Sequence, residues 1–154
     1  MFFGFSEHTL DAKFRVFVPK RIVDVLGRDA EGVHVVYLSA GQDPCLYLFS
    51  EETFQVVLGE LENSVFDDPK ARAASRMFFA NTVRAELDST GRLLIPEPLR
   101  KRAGIERDVV IVGNRNRAEI WARDAWQRYE QQNDGVLAEM DTVARKSRPE
   151  PGRS

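Results

Sequence analysis

Apolar and polar positions alternate with two different periods along this chain, and the change of period divides it. Residues 2–10 mix aromatics with polar residues and predict an opening strand; residues 11–14 are a polar turn with one aromatic, Phe14. Arg15, Val16, Phe17 and Val18 form a short strand stopped by Pro19, and residues 20–26 place Ile22, Val23, Val25 and Leu26 on a short helix ended by Gly27. Residues 33–38 and 46–49 read as strands around the turn Gly41-Gln42-Asp43-Pro44. From Ser50 the period becomes helical, with Phe54, Val57, Leu58, Leu61 and Val65 in one stripe. Asp67-Asp68-Pro69 opens a second helix whose buried face is Ala71, Ala74, Met77 and Phe78. Strands return at 83–87, 93–95, 109–112 and 118–121, with a short helix at 97–103 before Gly104. Asp124 opens one long helix with Trp126, Tyr129, Val136, Leu137, Met140 and Val143 inward.

The two halves of this pattern share a motif. Leu10-Asp11-Ala12-Lys13-Phe14-Arg15 ends at Pro19, and Leu87-Asp88-Ser89-Thr90-Gly91-Arg92 ends at Pro96, so Leu, Asp, Arg and Pro recur at an offset of 77. Gly27 and Gly104 keep the same offset. Four short strands cannot close a core alone, but two such sets can interleave. The expected fold is mainly β with α: a duplicated half-barrel closed into one β-barrel with peripheral helices. The repeats span 1–81, with two helices, and 82–144, with a C-terminal helix; residues 145–154 form a charged, Pro-rich, disordered tail.

Composition adds constraints. The lone Cys45 lies in an apolar run and reads as an inert core thiol, without an intrachain disulfide. No apolar run is long enough to span a bilayer, which makes the cytoplasm the default. The net charge of −2 hides segregation: residues 51–69 carry six acids and no base, while residues 70–84 carry four bases and no acid. Each repeat core, 10–27 and 87–104, holds four bases and two acids. Basic patches can therefore exist on an acidic protein, although solvated helix faces give the same pattern.

Asp and Arg four apart across a tight turn can bridge two strand starts, the Asp accepting turn N–H groups and the Arg pairing with it. Asp11, Asp88, Gly91 and Arg92 are read as structural turn residues on this basis. Lys13, Arg15, Lys20 and Arg21 put four bases within nine residues, and a two-stranded ribbon fits the major groove, where Arg can grip guanine and Lys holds phosphates. Arg115 and Arg117 form a second basic loop, explained equally well as a soluble hairpin tip. Trp121, Trp126 and the Phe stripe read as core rather than as a stacking platform. Solitary His8 and His34 offer no metal site, no cofactor motif is present, and nucleotide-binding, serine-hydrolase and zinc-protease signatures are missing, so no enzyme is expected.

The motif Asp88-Ser89-Thr90-Gly91-Arg92 followed by Leu93-Leu94-Ile95-Pro96, the opening Met1-Phe2-Phe3-Gly4, Pro44-Cys45-Leu46, Leu99-Arg100 with Ala103-Gly104, and Trp121 together resemble the MraZ family. That family consists of bacterial transcriptional regulators with two AbrB-like swapped-hairpin motifs in one chain. The resemblance implies a barrel and a ring-shaped, octamer-like homo-oligomer, nucleoid-associated in the cytoplasm. It also implies binding to double-stranded DNA at tandem repeats upstream of a cell-division and cell-wall gene cluster, with Lys13 and Arg15 as contacts, and no membrane or small-molecule substrate. The chain departs from the family pattern at Phe14, where the pattern has glycine. Either the first turn takes another backbone or it tolerates a strain of roughly 1–2 kcal/mol. A competing class is an AbrB-like protein-interaction module of the antitoxin type.

Overall fold

Proline sets the length of the shortest strands. A computed structural model of the chain describes residues 1–62 and 68–146. In it β2 (Arg15–Phe17) and β6 (Arg92–Leu94) stop after three residues, because Pro19 and Pro96 lack an N–H and stand at the starts of α1 (Lys20–Val23) and α4 (Glu97–Arg102). The remaining strands are β1 (Phe5–Thr9), β3 (Val35–Ala40), β4 (Cys45–Phe49), β5 (Thr82–Glu86), β7 (Asp108–Asn114) and β8 (Arg117–Ala122). Helices α2 (Glu51–Glu62) and α3 (Pro69–Ala80) separate the halves. α5 (Arg123–Gln132), a 3-10 turn (Val136–Glu139) and α6 (Met140–Lys146) end the described chain.

The large sheet runs β1-β7-β8-β4-β3-β5, with β2 and β6 forming a separate antiparallel ribbon. The order reads the same from either end when β1, β3 and β4 are exchanged with β5, β7 and β8. The halves also trade strands: β1 ladders on β7, and β5 on β3. One core serves both halves, with Val16 and Leu93 under the ribbon, Leu38, Leu48, Ile111 and Ile120 in the sheet, and Ile22 and Leu99 in the short helices. The other face of the sheet carries Cys45, Tyr47, Phe49, Val110 and Trp121, packed against Phe54 of α2. Central β4 is covered on both faces and buried at all five positions.

Four expectations need correction. First, the sheet is open and is not a closed barrel. β2 and β6 ladder only on each other, which leaves β1 and β5 as edges. Second, helix exceeds strand among the described residues, 39% to 31%, so the fold is mixed α/β rather than mainly β. Third, the long C-terminal helix is broken. Asn133 caps α5, Gly135 turns left-handed at φ 83°, and Val136, Leu137 and Met140 face outward. Fourth, α3 has no fully buried residue: Phe78 packs partly buried on Phe54, as the stripe predicts, but Ala74 and Met77 are exposed.

Local signals act as read elsewhere. The Asp68 side chain accepts the Lys70 N–H and Pro69 opens α3, while Ser50 and Thr53 cap α2 reciprocally. Gly104 takes φ 62° after α4, whereas Gly27, its partner by spacing, does not adopt a positive φ. Val65, Asp67 and the tail from residue 147 onward lie outside the described residues.

Candidate nucleic-acid interface

Each Asp turn builds itself from its own backbone. The Asp11 carboxylate accepts the N–H groups of Lys13 and Arg15, both at 2.9 Å, while Asp88 accepts those of Thr90 and Arg92 at 3.0 and 2.9 Å. The Phe14 N–H donates to the Asp11 carbonyl and the Gly91 N–H to the Asp88 carbonyl. Position four of each turn is left-handed, with φ 60° at Phe14 and 83° at Gly91. The first turn therefore keeps the glycine-type backbone and tolerates the strain. The Arg100 guanidinium lies 3.7 Å from the centre of the half-exposed Phe14 ring.

The β2–β6 ribbon then locks the two turns together. Val16 faces Leu93 across the ribbon, Val18 donates to the Gly91 carbonyl at 2.9 Å, and Ile95 to the Phe14 carbonyl at 3.1 Å. This register brings all four charged side chains into one crossed cluster. Arg15 Nε lies 2.9 Å from Asp11 and its Nη1 3.7 Å from Asp88; Arg92 Nε lies 2.9 Å from Asp88 and its Nη1 3.5 Å from Asp11. Backbone N–H donation, chiefly from Arg15, holds the Asp11 carboxyl below its ordinary value of 3.8. Asp88 is held lower still, chiefly by the Arg92 N–H, with the Thr90 hydroxyl and N–H assisting.

Around the cluster the ribbon shows two apolar side chains. Phe17 and Leu94 are each 54% exposed and share the outward parity of Arg15 and Arg92. Neither was singled out from the sequence, although that parity is legible in Arg-Val-Phe and Arg-Leu-Leu. Lys13 is exposed at the turn, and Lys20, exposed on α1, pairs with Asp24 at 2.7 Å. Arg21 is differently committed: its guanidinium donates to the Phe3 carbonyl, the Ser6 hydroxyl and the Ile111 carbonyl at 2.9–3.0 Å, fastening the N-terminal strand.

The second basic loop also divides. Arg115 is exposed with φ 62°, its backbone bridged to buried Phe2. Arg117 holds the buried Glu119 carboxylate at 3.0 Å and stacks on Tyr47. Glu119, which also accepts from the Trp121 indole, was missed because nothing in the strand pattern marks an inward acid. Cys45 is buried, and burial, with Glu119 and Asp43 nearby, pushes its thiol up to about 12. Among the described residues no group of three or more His, Cys, Asp or Glu is placed to hold a metal ion, and no helix is long and apolar enough to cross a membrane.

The family model of MraZ protein, whose description adds an antitoxin likeness, matches this chain twice, over residues 1–77 and 78–146. The chain is 37% identical over 140 residues to a protein of Thermoanaerobacter sp. (strain X514), covering 91% of this chain and 94% of that one. It is 36% identical over 146 residues to one of Carboxydothermus hydrogenoformans, covering 95% and 96%. It is 38% identical over 129 residues to one of Acetivibrio thermocellus, covering 84% and 86%. Each of these relatives is named "Transcriptional regulator MraZ". Matched twice by one family model and alike to these relatives over most of its length, the chain belongs to the MraZ family.

Proposed function

We propose that this protein regulates transcription by binding double-stranded DNA through the β2–β6 ribbon and its flanking turns. The observation that carries the proposal is the crossed Asp11–Arg15–Asp88–Arg92 cluster on an exposed two-stranded ribbon. An arginine held through Nε has its plane fixed before DNA arrives, so its terminal N–H edge meets a guanine with less ordering cost. The cluster itself is neutral. Attraction to phosphates falls to Lys13 and Lys20, while Phe17 and Leu94 can meet thymine methyl groups in the groove.

So few bases bind weakly in one copy. A ring-shaped homo-oligomer that sets identical ribbons along tandem sites raises the effective concentration, which suits repeats upstream of a cell-division and cell-wall gene cluster. Such a protein works in the cytoplasm at the nucleoid. The strand exchange supports reading the fold as two AbrB-like swapped-hairpin repeats, divided near 81/82. Arg21 serves this reading indirectly, by holding the N-terminal strand against β7.

Mobility shifts on DNA from upstream of the gene, at two salt concentrations, test the proposal. Wild type should bind in a salt-dependent way and Arg15→Ala should not bind specifically. Equal binding by both proteins defeats it. The exposed Phe17 and Leu94, with the antitoxin likeness of the family description, favour one second reading, a protein-interaction module of the antitoxin type. Co-purification of a stoichiometric protein partner, without DNA binding, would select it.

A further inference from the structure

The chain departs from its own internal pattern at two positions that touch. Phe14 stands where Gly91 stands in the second turn, and at the same offset Arg100 corresponds to Val23 (100 − 77 = 23). In the fold these departures meet. The Arg100 guanidinium lies over the Phe14 ring, 3.7 Å from its centre, and its Nη1 donates to the Ile95 carbonyl at 2.5 Å. The Ile95 N–H in turn donates to the Phe14 carbonyl at 3.1 Å. The ring is thus tied to the ribbon through its own backbone and through the cation on one face. It is nevertheless 42% exposed, and its φ of 60° disfavours any side chain. A ring kept in a costly turn without being buried points to a contact made with something else.

We infer that Phe14 is a specificity-determining residue that reads thymine, packing against the C5 methyl group in the major groove. This rests on the DNA-binding reading above and deepens it. A phenyl ring has no donor or acceptor, and the apolar group a base pair shows in the major groove is the thymine methyl. Insertion between base pairs is a different use of an aromatic ring and needs both faces free. Here Arg100 covers one face, which leaves edge and outer-face contact. The same clamp restricts the ring before DNA arrives, so little side-chain freedom is lost on binding. Lys13 and Arg15 flank Phe14 in sequence and supply the charge that brings the backbone close. The second turn, with Gly91 and Val23 at the matching positions, has no such reader, so the ribbon discriminates thymine on one side through this device.

The test compares two duplexes with the full chain: DNA from upstream of the gene, and the same duplex with every thymine replaced by deoxyuridine, which lacks only the methyl group. Wild type should bind the uracil duplex more weakly, by about four-fold for each methyl that Phe14 covers, the worth of one buried methyl group. Phe14→Gly should have a thymine-to-uracil ratio smaller than wild type's by that same factor. Contributions from Phe17 and Leu94, and any change in the shape of the uracil duplex, are common to both proteins and cancel. Phe14→Asn, whose side chain also tolerates a left-handed turn, should behave like Phe14→Gly and gives a second variant without the ring. Phe14→Tyr, which keeps the ring over Arg100, should keep the wild-type ratio. Equal ratios in wild type and the two ringless variants overturn the inference, even if those variants bind both duplexes more weakly, because a merely structural ring would act on both alike. Loss of the ratio in Phe14→Tyr overturns it as well. Absence of wild-type binding, or equal binding by Arg15→Ala, overturns the DNA reading itself and this inference with it. Equal ratios alongside Arg15-dependent binding overturn the role of Phe14 alone.

Discussion

The two Asp turns share one backbone and differ in what surrounds it. Both have an Asp accepting two turn N–H groups, an Arg four residues on, and a left-handed fourth position. Gly91 adopts that conformation freely, while Phe14 adopts it at a cost and places its ring under Arg100. Charge differs as well. Lys13 and Lys20 flank the first turn, where Thr90 and Glu97 hold the corresponding places in the second, and Glu97 is itself paired with Lys101 at 3.0 Å. A symmetric scaffold thus presents two chemically unequal sides. Backbone hydrogen bonds preserve the turn, and free surface positions set its charge.

The largest expected effect is on DNA affinity. Arg15→Ala, beside the two lysines, should weaken specific binding by about 5- to 150-fold per site, the loss of a roughly 1–3 kcal/mol base contact. Arg92→Ala, on the less basic side, should weaken it less and lower the melting temperature more. Titrations at two salt concentrations alongside thermal melts would show the sides to be equivalent if both variants lost binding alike. Next comes the glycine. Gly91→Phe should destabilise by roughly 1–2 kcal/mol, about 2–8 °C in melting temperature for a chain this size, because φ 83° is disfavoured for a side-chained residue and the Phe17 ring lies alongside. An unchanged melt would mean that the second turn is as permissive as the first.

Acid provides a finer probe. Both carboxyls are depressed in the folded state, so their stabilisation is fully present above the ordinary value of 3.8 and is lost as pH falls below it. The melting temperature should fall as pH drops below about 4. Asp88→Asn should flatten that limb more than Asp11→Asn, because Asp88 is held lower. The reverse order would assign the tighter carboxylate to the first turn. The smallest effect is Phe14→Gly. Relief of about 1–2 kcal/mol of strain is offset by about 0.5–1 kcal/mol of lost Arg100 contact and by the extra freedom of an unfolded glycine. Stability should stay within about 1 kcal/mol of wild type by urea titration.

The amino-acid sequence alone makes legible the recurring Asp-x-x-x-Arg motif, the two Asp turns, the Pro-limited short strands and the caps on α2 and α3. Each of these rests on interactions within a few residues: a carboxylate reaching N–H groups two and four positions on, a proline without an N–H, a side chain capping the next turn. It also carried the family resemblance, because that rests on the same motif. The packed fold brings Arg15 and Arg92 each to the Asp of the opposite turn, since this requires the β2–β6 register, with Val16 across from Leu93. It likewise decided that the sheet stays open, that Arg21 fastens the N-terminal strand, and that Glu119 is buried against Arg117. Periodicity marked Leu137, Met140 and Met77 as apolar faces, but a hydrophobic stripe states only that it needs cover. Whether its own chain supplies that cover depends on where Gly135 turns the backbone and on how much of α3 the sheet can reach.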